Sequence, residues 1–89
     1  MGDEIRRGDI HARLVAMVAE AVNRQPGELR CDIPVSKLDV DSVAVVDIAK
    51  QLETWLGMEI EPTIAWDYPT IDGMASYLEE QYLAQHSAR

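Results

Sequence analysis

The sequence predicts an all-α fold, a small four-helix bundle of three main helices and one short one, and three observations carry that prediction. Apolar residues recur at three-and-four spacing in three separate segments, 10–22, 45–56 and 71–82. The one segment able to alternate as a strand, 58–61, is short and has no second strand to pair with. With 89 residues, 47% of them hydrophobic, and no repeat or low-complexity block, the chain reads as one folded domain over 1–89 with an ordered core of about 9–84.

After a charged lead-in, Asp9 is the expected N-cap of a helix reaching Asn23 or Arg24. Ile10, Leu14, Met17, Val18, Ala21 and Val22 form its apolar stripe, while His11, Arg13 and Glu20 fall off it. Pro26-Gly27 should stop it, because proline disfavours helical geometry in the residue before it. From Glu28 to Val40 the period is lost, yet Leu29, Ile33, Val35, Leu38 and Val40 remain apolar. This long connection should therefore pack down over the bundle, with a single turn near Ser36 to Asp39. The second helix should start at Asp41-Ser42 and end at Gly57, a residue suited to the left-handed position past a helix end. Its inward stripe is Val45, Ile48, Ala49, Leu52 and Leu56, with Trp55 one step off. Met58 to Glu61 reads as an extended linker. Pro62 is expected as the first residue of a short helix through Ile64, Ala65 and Trp66, ending before Pro69, with Trp66 and Tyr68 as core aromatics. Thr70 should cap a last helix from Ile71 to about Ala84 that buries Ile71, Met74, Ala75, Leu78 and Tyr82, and the tail from Gln85 should fray.

Composition excludes several functions. The 16 acidic and 8 basic residues leave a net charge of -8, so phosphate-rich nucleic acid and anionic lipid headgroups would repel the chain, and neither is an expected partner. Cys31 is the one cysteine, which excludes an internal disulfide and a Cys-rich zinc site; it reads as an apolar-like loop residue. His11 and His86 lack ligand spacing and read as solvated helix residues, so no metal is expected. A calcium loop counted from Asp39 fails at Val43, Ala44 and Lys50, where it requires an oxygen ligand, a glycine and a glutamate. No apolar run approaches the length of a membrane span, and a cytoplasmic location is expected.

Asp41-Ser42 before an apolar run is, by spacing alone, a helix start. No histidine lies near Ser42 in sequence and no Gly-x-Ser-x-Gly elbow surrounds it, so a reacting Ser42 needs its base from another protein. On one face beside it stand Val43, Val46, Asp47, Lys50 and Glu53 or Thr54. Two valines on an otherwise polar face require an explanation.

Leu38-Asp39-Val40-Asp41-Ser42-Val43, followed by Val46-Asp47-Ile48 and Gly57, resembles the attachment segment of the acyl carrier protein family, the phosphopantetheine-bearing domains of fatty acid and polyketide synthases. Trp66-Asp67-Tyr68-Pro69-Thr70-Ile71 is similar to the junction before the last helix of polyketide-type carriers, and Ala75 and Leu78 continue the match. Two residues depart from the family pattern: Asp39 stands where glycine is usual, and Val43 where leucine is usual. The resemblance implies a carrier rather than an enzyme, folded as an acyl-carrier-protein-like bundle. It implies a 4′-phosphopantetheine arm moved from coenzyme A to Ser42 by a phosphopantetheinyl transferase. The arm's thiol would hold acyl intermediates as thioesters for polyketide or related fatty acid biosynthesis. Asp41, Val43, Val46, Asp47, Lys50 and Glu53 would dock an acyltransferase or acyl-activating ligase, a ketosynthase and other synthase domains, each visited in turn by a monomeric carrier. A peptidyl carrier of a nonribosomal peptide pathway and an unmodified helical interaction module are the alternatives.

Overall fold

The computed structural model describes the backbone of residues 8–87 and the side chains of 8–85; the charged lead-in, the side chains of His86 and Ser87 and residues 88–89 lie outside the described residues. Among the described residues the α-helices are α1 (Asp9–Val22), α2 (Ser42–Leu56), α3 (Ile64–Asp67) and α4 (Ile71–Ser87), with 3₁₀ turns at Pro26–Glu28 and Val35–Leu38. No strand forms among them, and an isolated antiparallel β-bridge joins Pro34 and Thr70.

The ends of α1 differ from expectation. Gly8, with φ 87°, is its N-cap, and Asp9 is the first helical residue, where its charge still opposes the positive end of the helix dipole. The helix stops at Val22 because Asn23 turns left-handed, φ 59°; the Asn23 amide donates to the Glu20 carbonyl and the Arg24 amide to that of Ala19. Pro26 comes three residues too late to end the helix and opens a 3₁₀ turn instead. The buried stripe is Ile10, Leu14, Val18 and Ala19, with Met17 and Val22 half-buried. Ala21 is exposed, because packing against both α4 and α2 draws Ala19 inward in its place.

The caps of α2 are those the sequence indicates. Asp41 Oδ1 accepts from the Ala44 amide at 2.8 Å, and Gly57, with φ 68°, donates its amide to the Glu53 carbonyl at 2.8 Å. The linker after it is tied down by the Ile60 amide, which donates to Glu53 Oε2 at 2.8 Å, and Met58 and Ile60 are buried. Trp55 is half-buried with the Arg13 guanidinium 4.6 Å over its ring. Pro62 lies in the turn before α3, whose N-cap is Thr63, so this helix begins two residues later than expected. Thr70 Oγ1 accepts from the Gly73 amide at 2.9 Å and starts α4. That helix runs on to Ser87 rather than fraying at Gln85, since residues 79–85 are mostly strong helix formers and Tyr82 packs against the core.

Leu14, Leu52, Ile71 and Leu78 lie at the centre of the core, and full burial of such a side chain contributes about 1.5–3 kcal/mol. The connection 23–41 is packed against that core, with Val35 and Val40 buried and Leu29, Ile33 and Leu38 half-buried. It is pinned to the start of α4 by two backbone bonds, Val35 N to Pro69 O at 2.8 Å and Asp72 N to Cys31 O at 3.1 Å. These bonds hold the chain that leads into α2, and so the helix end that carries Ser42.

Candidate functional site

Asp39 decides how Ser42 is presented. Its backbone is left-handed, φ 67° and ψ 26°, the region glycine enters without penalty, and this turns the chain sharply after the 3₁₀ turn. Val40 then points into the core while Asp41 and Ser42 emerge at the surface. Aspartate is among the few residues other than glycine that tolerate the left-handed region.

Ser42 is the first residue of α2 and is exposed. The Asp41 carboxylate takes the Ala44 amide and the Asp41 carbonyl takes the Val45 amide at 3.0 Å, so the serine hydroxyl is not used as a cap. The amides of Ser42 and Val43 have no acceptor among the described residues. Together with the helix dipole they favour an anion at this end. A groove of about 360 Å³ runs beside Ser42, walled by Val35, Val40, Val45, Ala65, Trp66 and Pro69. Neither an imidazole nor an amine lines it, and its one carboxylate, Asp41, is engaged as the cap. A second opening of about 290 Å³, between the 58–64 segment and α4, does not include Ser42.

Trp66, expected in the core, is 69% exposed. In a helix of one turn Ile64 and Ala65 take the inward side, which leaves Trp66 facing outward over the groove. Tyr68 is likewise at the surface, stacked on Tyr77 with ring centroids 4.5 Å apart. Val43 is 76% exposed and Val46 38%, with exposed Asp47 and Lys50 alongside. Asp47 Oδ2 accepts from Gln51 Nε2 at 3.0 Å. Asp41 and the half-buried Glu53 each carry a bond to backbone in addition to their charge.

His11 has partners that its sequence position does not reveal. Its Nε2 lies 2.8 Å from Asp72 Oδ1, and Cys31 stands beside both. Burial, and after it the charges of Asp72 and Asp32, push the Cys31 thiol pKa up, the opposite of an activated nucleophile. The Arg30 guanidinium donates to Asp32 and holds that carboxyl below its ordinary range.

A small helical bundle that exposes a serine hydroxyl at an anion-favouring helix start beside an apolar groove has the architecture of a carrier domain. More particularly, the chain belongs to the phosphopantetheine attachment site family, whose model matches residues 12–78; members are the sites of covalent 4′-phosphopantetheine attachment. Among curated proteins it is 33% identical over 75 residues to a p-hydroxybenzoic acid–AMP ligase of Mycobacterium tuberculosis, covering 80% of this chain and 11% of the ligase. It is 27% identical over 75 residues to a phenolphthiocerol/phthiocerol polyketide synthase of the same species, covering 84% of this chain and 4% of the synthase. The chain thus spans about a tenth or less of the length of these relatives. Among solved structures, a free-standing peptidyl carrier protein from an Acinetobacter baumannii secondary metabolic pathway superimposes with TM-score 0.81 and 29% identity, over 84% of this chain and 94% of that one. An acyl carrier protein of Anabaena sp. PCC 7120 with a variant phosphopantetheinylation-site sequence gives TM-score 0.78 and 26% identity, over 91% and 99%. The all-α, carrier-like architecture expected from the sequence is therefore the one found. No helix among the described residues is long and apolar enough to cross a membrane.

Proposed function

We propose that Ser42 is the attachment residue and that the chain carries acyl intermediates, as thioesters on the 4′-phosphopantetheine arm, for polyketide or related fatty-acyl biosynthesis. The observation that carries this reading is the exposed Ser42 hydroxyl at the start of α2, within the matched span 12–78 and beside two amides that have no acceptor among the described residues. The residues present suit the group: the Ser42 and Val43 amides favour its phosphate, and the apolar groove suits its methylenes. In the transfer, the Ser42 oxygen forms a bond to the pantetheine phosphorus of coenzyme A, 3′,5′-adenosine bisphosphate leaves, and the hydroxyl proton passes to a base of the phosphopantetheinyl transferase. Once bound, the arm supplies a terminal thiol that can be acylated. This chain's own residues orient and dock. Val43 and Val46 offer apolar contact, Asp41, Asp47 and Glu53 attract basic partner surfaces, and Lys50 interrupts that acidic face, so docking is less purely electrostatic. Such contacts are weak and transient, which lets one carrier visit several enzymes as a monomer.

The relatives named as an AMP ligase of an aromatic acid and as a polyketide synthase support acyl cargo, with an acyl-activating ligase or acyltransferase as loader and a ketosynthase among the later partners. The peptidyl carrier from Acinetobacter supports an aminoacyl cargo as the second reading. Incubation with coenzyme A and a promiscuous transferase should add one arm by intact mass, and Ser42→Ala should add none. Equal labelling of Ser42→Ala, or no labelling of the wild type, would overturn the assignment. Parallel loading by an acyl-activating ligase and by an amino-acid-activating domain decides between the two cargoes.

A further inference from the structure

His11 on α1, Cys31 in the 23–41 connection and Asp72 in the first turn of α4 bring a nitrogen, a sulfur and an oxygen donor within 4.8 Å of one another. They come from three elements far apart in sequence, and backbone holds them together, since the Asp72 amide donates to the Cys31 carbonyl at 3.1 Å. His11 and Cys31 are half-buried and Asp72 is exposed, so the cluster is backed by the core and open on one side to water. None of the three lines the groove beside Ser42.

A thiol flanked by the Asp72 and Asp32 carboxylates is not set up for nucleophilic attack, and no second cysteine exists to form an internal disulfide. Three donors of this kind, converging from three elements, can hold a cation. Calcium and magnesium take oxygen ligands and do not suit a thiol and an imidazole. A mixed sulfur, nitrogen and oxygen set suits Zn²⁺. Ligand bonds of about 2.0–2.3 Å place donors roughly 3.3–3.8 Å apart around a tetrahedral ion. His11 and Asp72, now at 2.8 Å, need to separate slightly, and the widest pair in the cluster needs to close by about 1 Å, within reach of side-chain rotation.

We propose that His11, Cys31 and Asp72 form a zinc site, with water as the fourth ligand, that clips the 23–41 connection to α1 and α4. Cys31 binds as thiolate and its proton goes to solvent. The clip fastens the connection that leads into Ser42, independently of whether Ser42 carries an arm.

The test titrates the full chain, reduced and stripped of metal, with Zn²⁺ alone in competition with a chromophoric chelator, and with Co²⁺ followed by absorption. One equivalent should bind, and Co²⁺ should give a thiolate-to-metal charge-transfer band with the visible bands of a tetrahedral ion. Cys31→Ser should remove the charge-transfer band and weaken Zn²⁺ binding at least tenfold, and His11→Ala should weaken it likewise, with circular dichroism checking that both variants fold. Glu20→Gln, an exposed change elsewhere on α1, should alter neither reading. A tenfold loss in neither variant places the ion on the general acidic surface and overturns the proposal. Absence of the charge-transfer band in the folded wild type overturns it whatever the variants do.

Discussion

Replacing Asp39 separates backbone strain from charge, because Asp39→Gly and Asp39→Ala remove the same carboxylate. At φ 67° and ψ 26° a β-carbon costs about 1–2 kcal/mol, which glycine avoids. Glycine gives back about 0.4–1 kcal/mol through the greater freedom of the unfolded chain. The side chain is exposed, so neither change opens a cavity. At the middle of these ranges glycine should therefore lead alanine by about 0.8 kcal/mol, with the native aspartate between them because its short polar side chain tolerates this region. In a domain of this size 1 kcal/mol moves the midpoint by about 4–8 °C, so Asp39→Gly should melt about 3–6 °C above Asp39→Ala. Thermal and urea unfolding followed by circular dichroism measure the difference, with equal urea slopes showing that the unfolded states are comparable. Asp39→Ala melting with or above Asp39→Gly would refute the argument that left-handed geometry at this position presents Ser42.

Thr70→Ala removes the acceptor of the Gly73 amide and should cost about 1 kcal/mol by urea unfolding; no change would mean the cap contributes nothing. Leu78→Ala truncates a side chain with no exposure and should cost about 2.7–5 kcal/mol, against which a loss below about 1 kcal/mol would count. Ser42→Ala should stay within about 0.5 kcal/mol of wild type, since the hydroxyl caps nothing, while losing all transferase labelling; a large fall in stability would make Ser42 structural. With a chelator present, alkylation of Cys31 should reach half its limiting rate at a higher pH in the folded chain than in the unfolded one. By linkage, this raised thiol pKa contributes stability in full below the unfolded thiol's pKa, and the contribution is lost as pH rises through the folded value. A folded midpoint at or below the unfolded one would contradict the burial argument.

Much of the fold is legible in the sequence because its signals are short-range. Buried stripes repeat every turn, Asp41 and Thr70 accept from amides three residues on, and Gly57 supplies the left-handed turn that ends α2. The same locality makes Ser42 a helix start, and puts Val43 and Val46 on an outward face that the structure leaves exposed. Where two local signals compete, sequence is a weaker guide: Asn23 turns the chain before Pro26 can act, and Gly8 caps α1 ahead of Asp9.

By itself, then, the sequence determined the helical class and the helix starts at Ser42 and Ile71. Each depends on groups no more than a turn apart. Tertiary structure alone decided that Trp66 faces outward, since a one-turn helix has no period to read. It also decided the left-handed backbone of Asp39, which is set by Val40 turning into the core as Ser42 emerges, and the meeting of His11, Cys31 and Asp72. That meeting depends on which faces of α1 and α4 pack together and where the 23–41 connection is pinned, relations between distant residues that no local pattern encodes.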